Sequence, residues 1–352
     1  MNPERQPAPV GRPDITRRAM LSGLSLAGLA VMAGGTGWVG ARRGLRLFSG
    51  GRRMMGTQAT ILLAERDPVR ADALAGAALD EMEVVARLMT RFDAGSDIGR
   101  VNRGNGEWVL VDRATGEVIE QALAVARASD GAFDPGLDQL TARWGFHDRI
   151  PPARLPDAAE LAPWLGGNTH RAIDTQWREG GVRVRLAAPH VGLDLGGIAK
   201  GFAIDRAAAL LRAQGIRHAI VEAGGDLYAL GGHPDGEPWP IGVRDPRDTS
   251  RLHSVILARD EGVATSGDYE NFFEAGGRRY AHLLEPRSAS PGRNLCSLTV
   301  RAPTATLADA LATAGCAREP GEGTRAALAG LLARVGAQGW LSINSAGEEW
   351  RG

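Results

Sequence analysis

Three short stretches carry side chains whose types and spacing could do chemistry. In Asp194-Leu-Gly-Gly-Ile-Ala-Lys200-Gly201, a carboxylate, a glycine pair and a lysine fall where an extended segment runs into a helix. Such a turn gathers free backbone N–H groups and the positive helix end at one point, which suits a phosphate. A glycine turn needed only for close packing reads the same way, and the spacing matches neither a Walker A loop nor a dinucleotide fingerprint. In Thr306-Leu-Ala-Asp309-Ala-Leu-Ala-Thr313, an acid and a hydroxyl four residues apart project from one helix face. Mg²⁺ accepts hard oxygens of this kind together with substrate phosphates. The plainer alternative has Thr313 bonding back to its own helix and Asp309 paired with an arginine. The third stretch, Tyr280-Ala-His282-Leu-Leu284-Glu285-Pro286, sets one histidine among apolar residues, either as a base or as a satisfied core residue. Lys200 stands out again by count, because the 41 basic residues are 40 arginines and this one lysine. A lone compact ammonium in so arginine-biased a chain marks a place where a planar guanidinium does not serve, or a chance survival.

Elements of fitting geometry surround these stretches. Met54 to Leu63 predicts a first strand entered through Met55-Gly56-Thr57, and Asp72 to Met89 a helix through Leu74, Ala78, Met82, Val85 and Met89. Asp112 to Ser129 predicts a second helix, capped by Asp112 and followed by Gly131. Residues 148–170 are rich in Pro and Gly and predict an irregular excursion, after which two short strands flank Gly180-Gly181. Val191 to Leu195 reads as a strand leading through Gly196-Gly197 into a helix from Ile198 to Gln214, with Ile204, Ala208 and Leu211 on one face and Gly215 stopping it. His218 to Val221 and Asp226 to Leu230 predict strands around Gly224-Gly225. Arg251 to Leu257 and Leu298 to Arg301 add strands, and Leu307 to Ala317 is the alanine-rich helix carrying Asp309. A helix at Arg325 to Val335 and a strand at Trp340 to Ile343 close the domain.

Composition narrows the function classes. The 352 residues balance 41 basic against 41 acidic side chains, which excludes a strongly basic nucleic-acid binder and an acidic solvating tail. A hydrophobic share of 43% with 48 glycines fits a globular α/β or α+β body with many turns. Cys296 and Cys316 are too few for a disulfide framework and lack zinc spacing; they read as buried small residues, with a single disulfide the alternative. Residues 1–41 read as an export signal: Arg17-Arg18 precede an uncharged stretch from Leu21 to Ala41 that ends on the small residues Val39-Gly40-Ala41. This predicts twin-arginine (Tat) export to the periplasm, residues 42–53 as a linker and residues 54–352 as the folded domain. Glycines make the stretch a weak permanent span, and no cysteine near its exit offers a lipid anchor. Without residues 1–41, which hold four arginines and two acids, 37 basic and 39 acidic residues remain, so charge draws the protein to neither membrane nor nucleic acid.

The order of motifs is more specific than any one of them. Met55-Gly56-Thr57, Phe133-Asp134-Pro135, Trp144-Gly145-Phe146, Asp194 to Gly201, Gly224-Gly225-Asp226, Thr265-Ser266-Gly267-Asp268-Tyr269, His282 to Pro286 and Ala308 to Thr313 together resemble the ApbE family of FAD:protein FMN transferases over about residues 54–345. The resemblance implies a single α+β domain of T-fold-like type that binds FAD and Mg²⁺. It implies transfer of FMN from FAD to a threonine or serine hydroxyl of an acceptor protein, with release of AMP. Carried over position by position, it implies FAD contacts at Met55, Phe92, Ala132, Phe133, Asp134, Asp194, Lys200 and Leu284. It places the metal on Asp309 and Thr313 with backbone near Gly197, and gives His282 the acceptor hydroxyl. Glu285 departs from the pattern, since Asp is usual in that His-x-x-Asp-Pro run. The twin-arginine signal resembles the NosX branch of nitrous oxide reductase accessory proteins, which implies a NosR-like acceptor; Rnf or Nqr redox subunits are the other acceptors implied. The chain lacks the Ser/Thr-Gly-Ala-Ser/Thr run that acceptors resemble, so a partner and not the chain itself is the target. Two other functions stay open on the same residues: an FAD pyrophosphatase with water as nucleophile, and a periplasmic FAD carrier or assembly factor without turnover. The Asp309/Thr313 pair argues against the carrier, which has no use for a metal on the diphosphate.

Overall fold

Eight strands pair, antiparallel throughout, into the sheet on which the rest of the molecule is built. From one edge to the other they are Glu349–Arg351, Gly339–Asn344, Leu295–Ala302, Glu261–Gly267, Asp226–Leu230, Ala219–Ala223, Thr57–Glu65 and Arg46–Met54. This is a computed structural model; the residues it describes are 29–31, 44–147, 152, 154–293, 295–318 and 323–352. The stretch expected to be an export signal therefore falls outside the described residues except for Leu29–Val31, which pairs antiparallel with Trp239–Arg244. The two central strands Ala219–Ala223 and Asp226–Leu230 are buried at every position, because both faces of the sheet are covered.

Three helices lie side by side on one face: Pro68–Met89, Ala199–Ala213 and Ala305–Cys316. Their apolar stripes meet Ile61, Leu63, Val221 and Tyr228 of the sheet in the main core. On the other face Trp239–Arg244 and Leu252–Ala258 pack Trp239, Ile241 and Val243 against Leu62, Ile220, Leu227 and Val263. A separate cluster of Leu140, Trp144, Phe146, Phe273 and Tyr280 joins the short helix Asp138–Arg143 to the hairpin Phe272–Ala275/Arg278–Ala281. Rings stack here, Phe273 on Tyr280 at 5.2 Å and Trp144 on Tyr280 at 5.8 Å, which holds the segment leading to His282.

Several sequence expectations hold: the helix capped by Asp112 spans Arg113–Ala128, the hairpin expected around Gly180-Gly181 forms with its turn one residue earlier at Glu179-Gly180, and Cys296 and Cys316 are free and buried. Others are corrected. Met54 to Leu63 is not one strand; Met55 (φ 50°) and Gly56 (φ 73°) form the two-residue turn of a hairpin whose strands are Arg46–Met54 and Thr57–Glu65. Residues 46–53, expected as linker, are thus an edge strand of the main sheet. Gly50 there lets the helix Pro68–Met89 come close, since a Cβ would stand 3.2 Å from Ala75 Cβ. Val191 to Leu195 joins no strand ladder and makes only an isolated bridge, Gly192 to Leu137. Its backbone is satisfied otherwise: Asp194 N–H donates to the Pro135 carbonyl (2.8 Å), and the Asn102 side-chain amide holds both the N–H (2.7 Å) and the carbonyl (2.9 Å) of Leu193. The strands Trp239–Arg244, Glu261–Gly267 and Glu349–Arg351 were not anticipated, so Trp340 to Ile343 does not end the domain.

Candidate active site

One cleft gathers most of the residues singled out above. Ala132, Phe133, Asp134, Asp194, Gly197, Lys200, His282, Leu284, Asp309 and Thr313 all line it, although they come from segments spread over most of the chain. Thr265, Ser266 and Gly267, at the end of the strand Glu261–Gly267, complete its floor.

The position of Asp309 follows from how its helix starts. Thr304 Oγ1 accepts from Leu307 N–H at 3.1 Å, and Asp205 accepts from the N–H groups of Ala305 (2.9 Å) and Thr306 (2.8 Å). Such caps stabilise a helix start by about 0.5–2 kcal/mol each. Gly201 and Gly262 lie directly against the backbone of residues 304–306, where any side chain would collide. Asp309 is thereby held over the first turn of the helix Ala199–Ala213: its Oδ2 accepts Gly201 N–H at 3.1 Å, and its Oδ1 lies 3.4 Å from Lys200 Nζ. Lys200 also donates to Asp226, whose other oxygen accepts Thr265 N–H at 3.1 Å.

This buried cluster has two carboxylates and one ammonium. Burial works against the Lys200 charge, but Asp226 and Asp309 outweigh it and hold the amine protonated. Burial, reinforced by the neighbouring Asp309 carboxylate, pushes Asp226 upward despite its bond to Lys200. Two buried carboxylates share one ammonium, and a further cation would let both stay ionised. Thr313 faces the same spot. Its hydroxyl does not bond back to its helix; the one partner among the described residues is Ser266 Oγ at 3.5 Å. A Cβ at Gly197 would stand 2.8 Å from Thr313 Oγ1, so glycine keeps the space beside that hydroxyl open.

His282 lines the same cleft. Its Nδ1 lies 3.1 Å from the carbonyl of Asn271, which can only accept, so Nδ1 carries the proton and Nε2 keeps a lone pair. Burial lowers its pKa below the ordinary histidine value, against the pull of the Asn271 carbonyl and of Asp194, so the ring is neutral near pH 7.

Three of the expected FAD contacts differ in their placement. The carboxylate of Asp134 is wholly buried and tied down, accepting from Gly136 N–H (2.9 Å) and the Thr169 hydroxyl (2.8 Å) with His170 Nδ1 at 3.2 Å, so it shapes the loop and offers a ligand no free oxygen. Met55 and Phe92 are not among the cleft-lining residues. Met55 is held in the hairpin turn and packs half-buried on the core; Phe92 is 67% exposed beneath the Arg91 guanidinium, 4.9 Å from its ring. Arg91, which lines the cleft and pairs with Asp194, carries no sequence signal of that role, and Asp226 carries none beyond its motif. The lone lysine was the available signal for Asp226, because a buried ammonium needs carboxylate partners.

Comparison with known proteins agrees with this geometry. The ApbE family model matches residues 55–333. A protein of Treponema pallidum named FAD:protein FMN transferase is 33% identical over 305 residues, covering 80% of this chain and 81% of the relative. One of the same name from Rhodobacter capsulatus is 38% identical over 211 residues, covering 60% of this chain but only 40% of that longer protein. The crystal structure of the ApbE protein from Thermotoga maritima superposes with a TM-score of 0.77 at 33% identity, over 87% of this chain and 97% of the other. The apo flavinyl transferase ApbE of Pseudomonas stutzeri gives 0.74 at 28% identity, over 87% and 93%. With the family model matched over residues 55–333 and four-fifths of its length shared with a relative named FAD:protein FMN transferase, this chain belongs to the ApbE family.

Proposed function

We propose that the protein transfers FMN from FAD to a threonine or serine hydroxyl of an acceptor protein, releasing AMP, and that it works with Mg²⁺ in the periplasm after twin-arginine export. The observation that carries this reading is the cleft itself, which holds both a buried oxygen set and a neutral, oriented histidine. The donor set fits Mg²⁺: Asp309, Thr313 and backbone at the open Gly197 turn are hard oxygens, too few to fill an octahedron without water and phosphate. When bound there, the ion would neutralise charge developing on the phosphoryl oxygens. Lys200 adds a compact positive charge, and the first turn of the helix Ala199–Ala213 points its positive end into the same region. His282 Nε2 accepts the proton of the acceptor hydroxyl as its oxygen bonds to the FMN phosphorus, and the bond from that phosphorus to the AMP oxygen breaks. A NosR-like flavoprotein, or an Rnf or Nqr subunit, is the acceptor this reading favours.

Mixing the protein with FAD, Mg²⁺ and such an acceptor domain should produce a fluorescent acceptor band on a denaturing gel and one AMP per flavin attached. AMP without covalent flavin identifies a pyrophosphatase, and neither product identifies a carrier. Within this reading, Lys200→Arg is expected to lower transfer at least about ten-fold although charge is kept, because a planar guanidinium cannot sit between Asp226 and Asp309 as the ammonium does. Rates and FAD affinity equal to those of the parent would remove Lys200 from the site.

A further inference from the structure

A second cavity adjoins the cleft and shares Ala132, Pro286 and Ala317 with it. One wall is a stripe on the helix Thr324–Val335, where Ala327, Gly330, Leu331 and Arg334 follow at helical spacing. Small residues keep this wall open; a Cβ on Gly330 would meet nothing within 4 Å. Another wall is Glu285-Pro286-Arg287, continuous in sequence with His282. The segment that carries the base therefore runs directly into the second cavity.

Its chemistry is cationic. Arg287, Arg318 and Arg334 line it against Asp130 and Glu285. Arg287 is engaged by Asp130 at 2.5 Å, and Glu285 accepts from Ser288 N–H at 2.5 Å. Arg334 Nε donates to the neutral carbonyl of Ala128 at 3.0 Å. Half-buried Arg318 has no hydrogen-bond or ion-pair partner among the described residues. Its burial and the repulsion of Arg287 and Arg334 lower its pKa, against the pull of Glu285. A guanidinium in this setting, beside two others, is built to receive an anion.

The anion's source follows from the function proposed above, on which this inference rests. FAD phosphates belong to the oxygen cluster and Lys200, which leaves this cavity to the other substrate. An acceptor must bring its hydroxyl to His282, and Pro286, four residues on, lines both cleft and cavity, so an acceptor chain that follows this segment reaches both. We propose that the cavity docks carboxylates flanking the modified hydroxyl of the acceptor polypeptide, with Arg318 and Arg334 as their partners.

Two synthetic peptides test this, each with a Ser-Gly-Ala-Thr run, flanked by aspartates in one and by asparagines in the other. The protein saturated with FAD and Mg²⁺ should bind the aspartate peptide about three- to ten-fold more tightly by fluorescence anisotropy at low salt, and the preference should shrink as salt rises. The double variant Arg318→Gln/Arg334→Gln should lose that preference and raise KM for the aspartate peptide alone, with kcat and FAD affinity unchanged. If the double variant melts lower than the parent, Arg318→Gln alone carries the same comparison. Equal binding of both peptides by the parent protein, or a preference that survives in the variant, overturns the proposal. So does weakened FAD affinity in the variant, which would assign the arginines to the nucleotide. Preferential binding without covalent transfer keeps the docking site and removes the transferase reading; transfer without preference does the reverse.

Discussion

Replacing Asp309 by alanine is expected to stop flavin transfer, with a fall of about 10²–10³-fold or more, the scale set by losing a main electrostatic stabiliser of a phosphoryl-transfer transition state. The carboxylate is the only acid on the helix Ala305–Cys316, and it stands where Thr313, Gly197 and Lys200 converge. Its removal should leave the fold in place. Lys200 keeps Asp226 as a one-to-one partner, and the main local loss is the acceptor for Gly201 N–H, worth about 1–3 kcal/mol when a buried donor goes unpaired. Asp309→Asn separates the two effects, because the amide oxygen can still accept from Gly201 while the charge is gone. Transfer near zero in both variants, with the asparagine form melting close to the parent, assigns the loss to the metal site. A chelator should reproduce the loss in the parent protein, and added Mg²⁺ should reverse it. Transfer retained within ten-fold in Asp309→Asn would sink the role.

Much of this site was legible because its signals are local. Asp309 and Thr313 stand out as the oxygen-bearing pair of a helix otherwise made of Ala, Leu, Gly and Cys beyond its first turn, and Lys200 stands out by being the only lysine. What was hidden depends on partners far away in sequence. Asp226 matters through Lys200, 26 residues earlier, and Arg91 through Asp194, 103 residues later; neither is marked by its neighbours. The same holds for the fold. Ala199–Ala213 and Arg113–Ala128 announce themselves by period and caps, whereas Val191 to Leu195 alternates like a strand and fails to be one because Asn102 and the loop at Pro135 supply its backbone partners. Arg46–Met54 fails in the opposite direction. Its Gly50-Gly51 pair and exposed arginines look like a linker, yet they suit an edge strand over which a helix must pass closely.

His282→Ala should slow transfer by about 10²–10⁴-fold, the usual worth of a positioned base, while FAD binding stays unchanged. The pH profile says more than the rate. A base must be neutral to accept a proton, so transfer by the parent protein falls as pH drops through the His282 pKa. Burial places that pKa below the ordinary histidine value of about 6.5, so the acid limb should lie on the acid side of that value and transfer should be flat above it. In His282→Ala the limb should vanish along with most of the rate. His282→Asn is the companion variant: its amide N–H stands where Nδ1–H does and can replace the bond to the Asn271 carbonyl and hold the loop, but it offers no base, so it should be as slow as the alanine form. A variant that keeps transfer within ten-fold of the parent with the limb intact would show that another group takes the proton. An acid limb above the ordinary histidine value would mean instead that Asp194 outweighs burial at the ring, and the Arg91–Asp194 pair would then be the element that sets the working pH.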